Sequence, residues 1–218
     1  MMRNDIIINQ KVIDYLYTLY HPLNDRLEAF RKEAEAELIP IILKDTEQFL
    51  DMMIKLVKPK RILEFGTAVG YSACFFAEAA GPDAQVVSLE YNLDMCLRAA
   101  ENIERMGYSE QIQIIPGDAR ESIKRLQGQF DMVFIDAGKS HYLEFWEGIM
   151  KNCHPGTVII GDNVLIRAKV CSDDLDPKGK FRTNIRHMRE FLEFITTTDR
   201  ATSSVFSAGD GISVSVLK

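Results

Sequence analysis

Two apolar runs in this chain end in carboxylates. FDMVFID, residues 130–136, is followed by AGK, which puts Asp136 and Lys139 just past the run; TVIIGDN, residues 157–163, ends in Asp162 and Asn163. Short runs rich in β-branched and aromatic residues read as strands covered on both faces, and in open α/β sheets ligands bind beyond the carboxyl ends of such strands. If the two strands are neighbours, their terminal carboxylates lie roughly 5 Å apart and repel. Either one takes up a proton or a divalent cation lies between them, and Asn163 adds a neutral oxygen suited to a hard ion such as Mg²⁺. Adjacent residues on a regular strand point to opposite faces, so Asp162 and Asn163 can serve one ion only where the chain turns out of the sheet. The other reading is an Asx turn at Asp162-Asn163, with Asp136 capping a helix that begins near Ser140. Lys139 is then a solvated lysine instead of a cation held beside a reacting oxygen.

A second constellation lies upstream. RILEFGTAVGYSA places Gly66 and Gly70 at a strand-to-helix turn, where missing side chains admit a ligand and a helix N-terminus offers free N–H groups. Glu90 ends the next strand, about 20 residues beyond Gly70, where nucleotide-binding α/β folds keep an acid for ribose hydroxyls. The turn is G-x-x-x-G, so the pyrophosphate cradle of a nicotinamide enzyme is poorly matched, and no P-loop lysine follows. The turn alone is equally compatible with tight strand–helix packing; Glu90 favours an adenosine-containing cofactor.

These residues need a scaffold, and the chain supplies alternating segments. Residues 5–57 read as helices, with NDRLEAFRKEAEAEL and DTEQFLDMMIKLV at helical spacing before Lys58-Pro59. From Arg61, strand-like and helix-like segments alternate: RILEF, YSACFFAEAA, QVVSLE, LDMCLRAAENIERM, QIQII, ARESIKRLQ ending at Gly128, DMVFID, HYLEFWEGIMKNC and TVIIGD. Strands separated by helix-length segments mean βαβ units and a parallel sheet covered on both faces. Residues 164–180 read as a loop or lid, a helix follows over about 181–197, and the chain closes with a β-hairpin around Asp210-Gly211. One domain over residues 1–218 is expected: a helical lead (1–57) and an α/β core (58–218).

Composition bounds the rest. With 218 residues and 46% hydrophobic content the chain can bury one sizeable core. A net charge of -6 argues against coating nucleic acid by bulk electrostatics. Four scattered cysteines without metal spacing suit reduced thiols, and no stretch is long and apolar enough for a membrane span, so a cytoplasmic location is expected.

The set LEFGTAVGYSA, LEYN, PGDA, FIDAGKSHY and IIGDNVL resembles the cation-dependent O-methyltransferases of the catechol and caffeoyl-CoA type, and within them is similar to members acting on 5-hydroxyuridine of bacterial tRNA. The paired DAGK and GDNV segments make the resemblance more specific than the glycine turn. It implies a class I (Rossmann-like) methyltransferase fold, with a seven-stranded, mostly parallel sheet, an antiparallel last strand and helices on both faces. It also implies S-adenosylmethionine, with Ile42, Gly66, Ser72, Glu90, Asp118 and Asp136 around it, and Mg²⁺ on Asp136, Asp162 and Asn163. Lys139 and Asp136 become the catalytic pair, and a homodimer is implied. The acceptor expected is 5-hydroxyuridine at the wobble position of a tRNA anticodon loop; the alternative is a small catechol or caffeoyl-CoA-like molecule. Arg167, Lys169, Lys178, Lys180, Arg182, Arg186 and Arg189 outnumber Asp173, Asp174 and Asp176 in and after the lid, which suits phosphate contacts or merely a solvated face.

Overall fold

Asn24 opens a helix of the N-terminal lead by accepting a hydrogen bond from Leu27 N at 2.9 Å, with Asp25 and Glu28 in the first turn complementing the helix dipole. The structure, a computed structural model, describes residues 10–218; the helix expected over residues 5–9 lies outside them. The lead comprises α1 (Gln10–Thr18), α2 (Asp25–Ala36) and α3 (Lys44–Val57). Lys58 then adopts a left-handed φ of 51° before Pro59, ending α3.

The alternation follows as β1 (Arg61–Phe65), α4 (Tyr71–Ala80), β2 (Gln85–Glu90), α5 (Leu93–Met106), β3 (Ile112–Pro116), α6 (Ala119–Arg125), β4 (Phe130–Ile135), α7 (Tyr142–Gly148), β5 (Cys153–Gly161), α8 (Arg182–Thr197), β6 (Ala201–Phe206) and β7 (Ile212–Leu217). The strands form one seven-stranded sheet in the order β3-β2-β1-β4-β5-β7-β6. β1 to β5 are mutually parallel, and β7 runs antiparallel to both β5 and β6. This is the sheet implied by the resemblance, with the last strand inserted against the others.

The period-2 alternation of strand side chains divides the core. Ile62, Met132, Phe134, Val158 and Ile160 face one hydrophobic cluster, under Leu27, Phe30, Leu50 and Ile54 of the lead and Phe75, Phe76 and Ile103 of α4 and α5. Leu63, Phe65, Val133, Ile135 and Ile159 face the other, under Trp146, Met188, Phe191 and Ile195 of α7 and α8. Both faces of the central strands are therefore dry, which explains their near-continuous apolar sequences.

Register places the functional row. Phe65 pairs with Leu89 and with Ile135, and Ile135 pairs with Gly161, so the carboxyl ends of β2, β1, β4 and β5 are level. Each following residue still donates to its neighbour: Gly66 N to Leu89 O, Asp136 N to Phe65 O and Asp162 N to Ile135 O, at 2.9, 2.9 and 3.0 Å. Connections leave in opposite directions from β1 and β4, and a crevice forms there. Asp136 and Asp162, read from the sequence as strand residues, are each the first residue after their strand. β5 starts earlier than its apolar run suggests, at Cys153, and α6 stops at Arg125, short of Gly128.

Residues 163–181 hold only turns and a 3₁₀ segment, Asp173–Leu175. Asn163, Ile166, Arg167 and Ala168 all have positive φ. This contour is held by the β6–β7 turn: Val164 N donates to Gly211 O (3.0 Å), and Leu165 N and Arg167 N donate to Asp210 at 2.9 and 2.5 Å. Among the described residues no helix is long and apolar enough to cross a membrane.

Candidate active site

A cavity of ≈ 720 Å³ opens over the carboxyl ends of β1, β2 and β4. Ile42, Gly66, Ser72, Glu90, Asp118, Asp136, Lys139, Asp162 and Asn163 all line it. Gly70, read with Gly66 as admitting a ligand, does not; a Cβ there would meet Ala99 of α5 at 3.2 Å, so it serves helix packing.

Its floor is the β1–α4 turn. Gly66 has a φ of 101°, and a Cβ there would stand 2.4 Å from the carbonyl oxygen of Asp136, so only glycine lets the turn pass the end of β4. Thr67 N and Ala68 N donate to Glu90 Oε2 at 3.1 and 3.0 Å, and Asn92 N to Oε1 at 2.8 Å. Glu90 thus clamps the glycine turn, and an ionised carboxylate with about four acceptor directions keeps capacity for a further donor from the cavity.

Below the turn lies a residue that sequence reasoning missed. Glu64, in the middle of β1, is fully buried; Ser88 Oγ donates to its Oε2, and Thr67 Oγ1 reaches Ser88 Oγ at 2.5 Å. Among the described residues its Oε1 accepts no hydrogen bond of regular geometry, although the Ser72 hydroxyl acts on the same carboxyl. Burial, opposed by the Ser72 and Ser88 hydroxyls and reinforced by the Asp136 and Glu90 charges, pushes this carboxyl up to about 7. The available signal was a carboxylate inside the apolar segment RILEF, a position where an acid is rarely buried without a reason.

The charged corner is built around Lys139. Its ammonium donates to Asp136 Oδ1 at 2.7 Å, Tyr142 Oη at 2.8 Å, Asn163 Oδ1 at 3.1 Å and the Asp162 carbonyl at 3.2 Å. Burial works against this charge, yet Tyr142 and Asp136 hold the ammonium above the ordinary lysine range. The left-handed Asn163, φ 52°, is the turn out of the sheet that the sequence reading required for two adjacent residues to face one point. Asp162 departs from that reading in one respect. Its Oδ1 accepts from Asn163 N at 2.7 Å, and its backbone oxygen meets Lys139 and the Tyr142 hydroxyl. Burial first, then the Asp136 charge, pushes the Asp162 carboxyl well above the usual carboxylate range. Among the described residues no three His, Cys, Asp or Glu side chains group as metal ligands; the set here is two carboxylates and an amide. Tyr142, absent from the sequence reading, locks this corner by donating to Asp162 O at 2.7 Å.

Asp118 lines the cavity but is already engaged. It caps α6 by accepting from Arg120 N at 2.9 Å, and the Arg120 guanidinium Nη2 lies 2.6 Å from its Oδ2, which holds the carboxyl down at about 2. A base edge approaching Asp118 would have to compete with Arg120. His141 also lines the cavity, at the start of α7, and its ring lies 3.2 Å from Glu144.

Comparison with known proteins agrees with this architecture. The family model described as O-methyltransferase matches residues 21–218. Catechol O-methyltransferase of Niastella koreensis is 35% identical over 153 residues, covering 68% of this chain and 69% of that protein. Caffeoyl-CoA O-methyltransferase 2 of Zea mays is 30% identical over 180 residues, 78% of this chain and 67% of that protein. The crystal structure of the O-methyltransferase from Bacillus cereus in complex with SAH superposes with a TM-score of 0.82 at 27% identity, covering 95% of this chain and 97% of that one. The seven-stranded fold, the level row of strand ends and a family match over nearly the whole length agree: this chain belongs to the O-methyltransferase family.

Proposed function

We propose that this O-methyltransferase moves the methyl group of S-adenosylmethionine to a ring hydroxyl that stands beside a second oxygen, with Mg²⁺ in the charged corner. The observation that carries the reading is the convergence of Asp136, Lys139 and Asn163 in the same cavity as Glu90 and the Gly66 turn. The cavity volume lies within the range of small-molecule sites, and the SAH-bound relative supports the cofactor.

The corner also fits a hard divalent ion. Four oxygens surround an ammonium that has three N–H groups, a surplus of acceptors suited to a cation of higher coordination number. Asp136, Asp162 and Asn163 would hold it. Such an ion supplies Lewis acidity that favours the ionised form of a hydroxyl, and the sulfonium supplies the electrophilic methyl carbon. The chain's own work is positional and electrostatic. Glu90 accepts from a ribose hydroxyl, the Gly66 turn lets the donor approach the backbone, and the Asp136–Asn163 corner fixes the acceptor oxygen in line with the methyl group. In the transfer, the acceptor's O–H proton is released to solvent water, an O–CH₃ bond forms as the S–CH₃ bond breaks with its electron pair staying on sulfur, and S-adenosylhomocysteine leaves. Lys139, held charged by Asp136 and Tyr142, stabilises the developing oxyanion; a general base would need its pKa lowered, not raised.

Two acceptors present this oxygen pair. The names of the relatives from Niastella koreensis and Zea mays support an o-diphenol. A separate observation favours 5-hydroxyuridine at the tRNA wobble position. The segment that follows Asn163 carries Arg167, Lys169, Lys178, Lys180 and Arg182 against Asp173, Asp174 and Asp176, a local excess of positive charge on an acidic protein, although Arg189 is taken up by Asp173 at 2.8 Å. Incubation with labelled donor and Mg²⁺ decides between them, offering catechol and undermethylated, hydroxyuridine-bearing tRNA in competition, with chelator as control. Label in 5-methoxyuridine selects the tRNA, label in a catechol ether selects the diphenol, and label in neither removes the proposal. A homodimer joined through the lead helices is also proposed. Exposed Val12, Tyr15, Leu16 and Leu19 support it, and native mass tests it.

A further inference from the structure

One buried ion pair joins the lead helices to the cavity without touching the cavity itself. Arg31 of α2 and Glu47 of α3 have side chains only 2% and 3% exposed, and Arg31 Nη2 pairs directly with Glu47 Oε2. Arg31 Nη1 donates to the carbonyl of Ile42 at 3.0 Å. Glu47 accepts from the Tyr71 hydroxyl at Oε2 and from the Tyr20 hydroxyl at Oε1, both at 2.6 Å, and the guanidinium lies 4.8 Å from the Tyr71 ring centroid. Ile42 and Tyr71 both line the cavity, from opposite sources: Ile42 from the irregular segment between α2 and α3, Tyr71 from the start of α4, next to Ser72 and one residue past Gly70.

Burying a charged pair is a poor way to glue helices, because apolar residues of similar volume often serve stability as well or better. This pair carries a further cost, since Arg31 Nε is buried with no hydrogen-bond partner among the described residues. What the charged set does, and apolar packing would not, is fix two directional groups, the Ile42 carbonyl and the Tyr71 hydroxyl. We propose that Arg31 and Glu47 are positioning residues for the donor. They set the spacing between the Ile42 wall and the N-terminus of α4, and so govern affinity for S-adenosylmethionine more than the stability of the fold. The inference rests on the cavity being the donor site.

The test replaces the pair by apolar residues, Arg31→Met with Glu47→Leu, and measures S-adenosylhomocysteine binding by calorimetry, the unfolding midpoint without ligand, and kcat and KM. The expected result is an unchanged or raised midpoint, a dissociation constant weaker by about tenfold or more, a KM for the donor raised in parallel, and kcat at saturating donor within about twofold of the parent. Parent-like affinity in the folded double variant overturns the inference. If the double variant does not fold, Tyr71→Phe, which leaves the ion pair in place, takes over the test: weakened binding with a parent-like midpoint supports the inference, and unchanged binding overturns it. Failure of the parent protein to bind S-adenosylhomocysteine would instead strike the cavity assignment.

Discussion

The Lys139 ammonium and the Asp136 carboxylate stand 2.7 Å apart, and Asn163 Oδ1 meets the same ammonium at 3.1 Å. The chain thus carries its own cation at the point proposed for Mg²⁺, and the two positive charges share one set of oxygens. Lys139→Met should therefore separate two effects. Methyl transfer falls by about 10²–10³ through loss of the oxyanion's partner, while affinity for Mn²⁺ or Mg²⁺ in calorimetry rises because no ammonium competes. Metal affinity that is unchanged in the variant would show that the ion and the lysine do not share these oxygens.

Asp136 couples everything in the corner: it neutralises Lys139 and its charge pushes the Asp162 and Glu64 carboxyls up. Its side chain is 28% exposed, so truncation opens no large cavity. Asp136→Ala should abolish transfer while the chain still folds, at a cost of about 1–3 kcal/mol because the part-buried Lys139 ammonium loses its counter-charge. A rate close to the parent's would exclude the proposed role in metal binding and catalysis.

How far the sequence reached depended on whether the controlling contacts were local. Helices α4 and α5 have the bounds that the hydrophobic pattern and their flanking glycines and Asn92 indicate, because caps and left-handed termini are properties of a few adjacent residues. The row Gly66, Glu90, Asp136 and Asp162 was legible for a related reason, since each ends an apolar run and parallel register brings run ends level. The Arg31–Glu47–Tyr71 set was not legible, as its members come from three helices and nothing in their spacing links them. The same holds for Tyr142, whose hydroxyl finds a carbonyl twenty residues on. Asp118 illustrates a subtler loss: its partner Arg120 is only two residues on, but a surface carboxylate offers no sign of which of several donors will claim it.

Gly66 and Gly107 offer a matched comparison. Both have positive φ, 101° and 80°, but a Cβ on Gly66 would stand 2.4 Å from the Asp136 backbone oxygen, whereas one on Gly107 meets nothing within 4 Å. Gly107→Ala should cost about 1 kcal/mol, the conformational penalty alone. Gly66→Ala should cost about 2 to 4 kcal/mol and also weaken S-adenosylhomocysteine binding, because the turn and the end of β4 must separate. Chemical denaturation of the two variants reads the difference, and equal costs would mean that the turn has room to spare.

Glu64 sets a pH dependence whose sign is fixed by its burial. Its folded-state pKa, about 7, lies above the usual glutamate value of 4.5, so the folded chain holds a proton that the unfolded chain releases in that window. The contribution to stability is fully present below pH 4.5 and is lost as pH rises through 7, amounting to a few kcal/mol, on the order of 3. Glu64→Gln keeps an acceptor for Ser88 Oγ and cannot ionise. Its unfolding midpoint should therefore match or trail the parent's near pH 5 and exceed it near pH 8, so that the two stability curves cross. Parallel curves from pH 5 to 8 would show that the Glu64 carboxyl does not take up a proton on folding, and that the Ser72 and Ser88 hydroxyls suffice to hold it ionised.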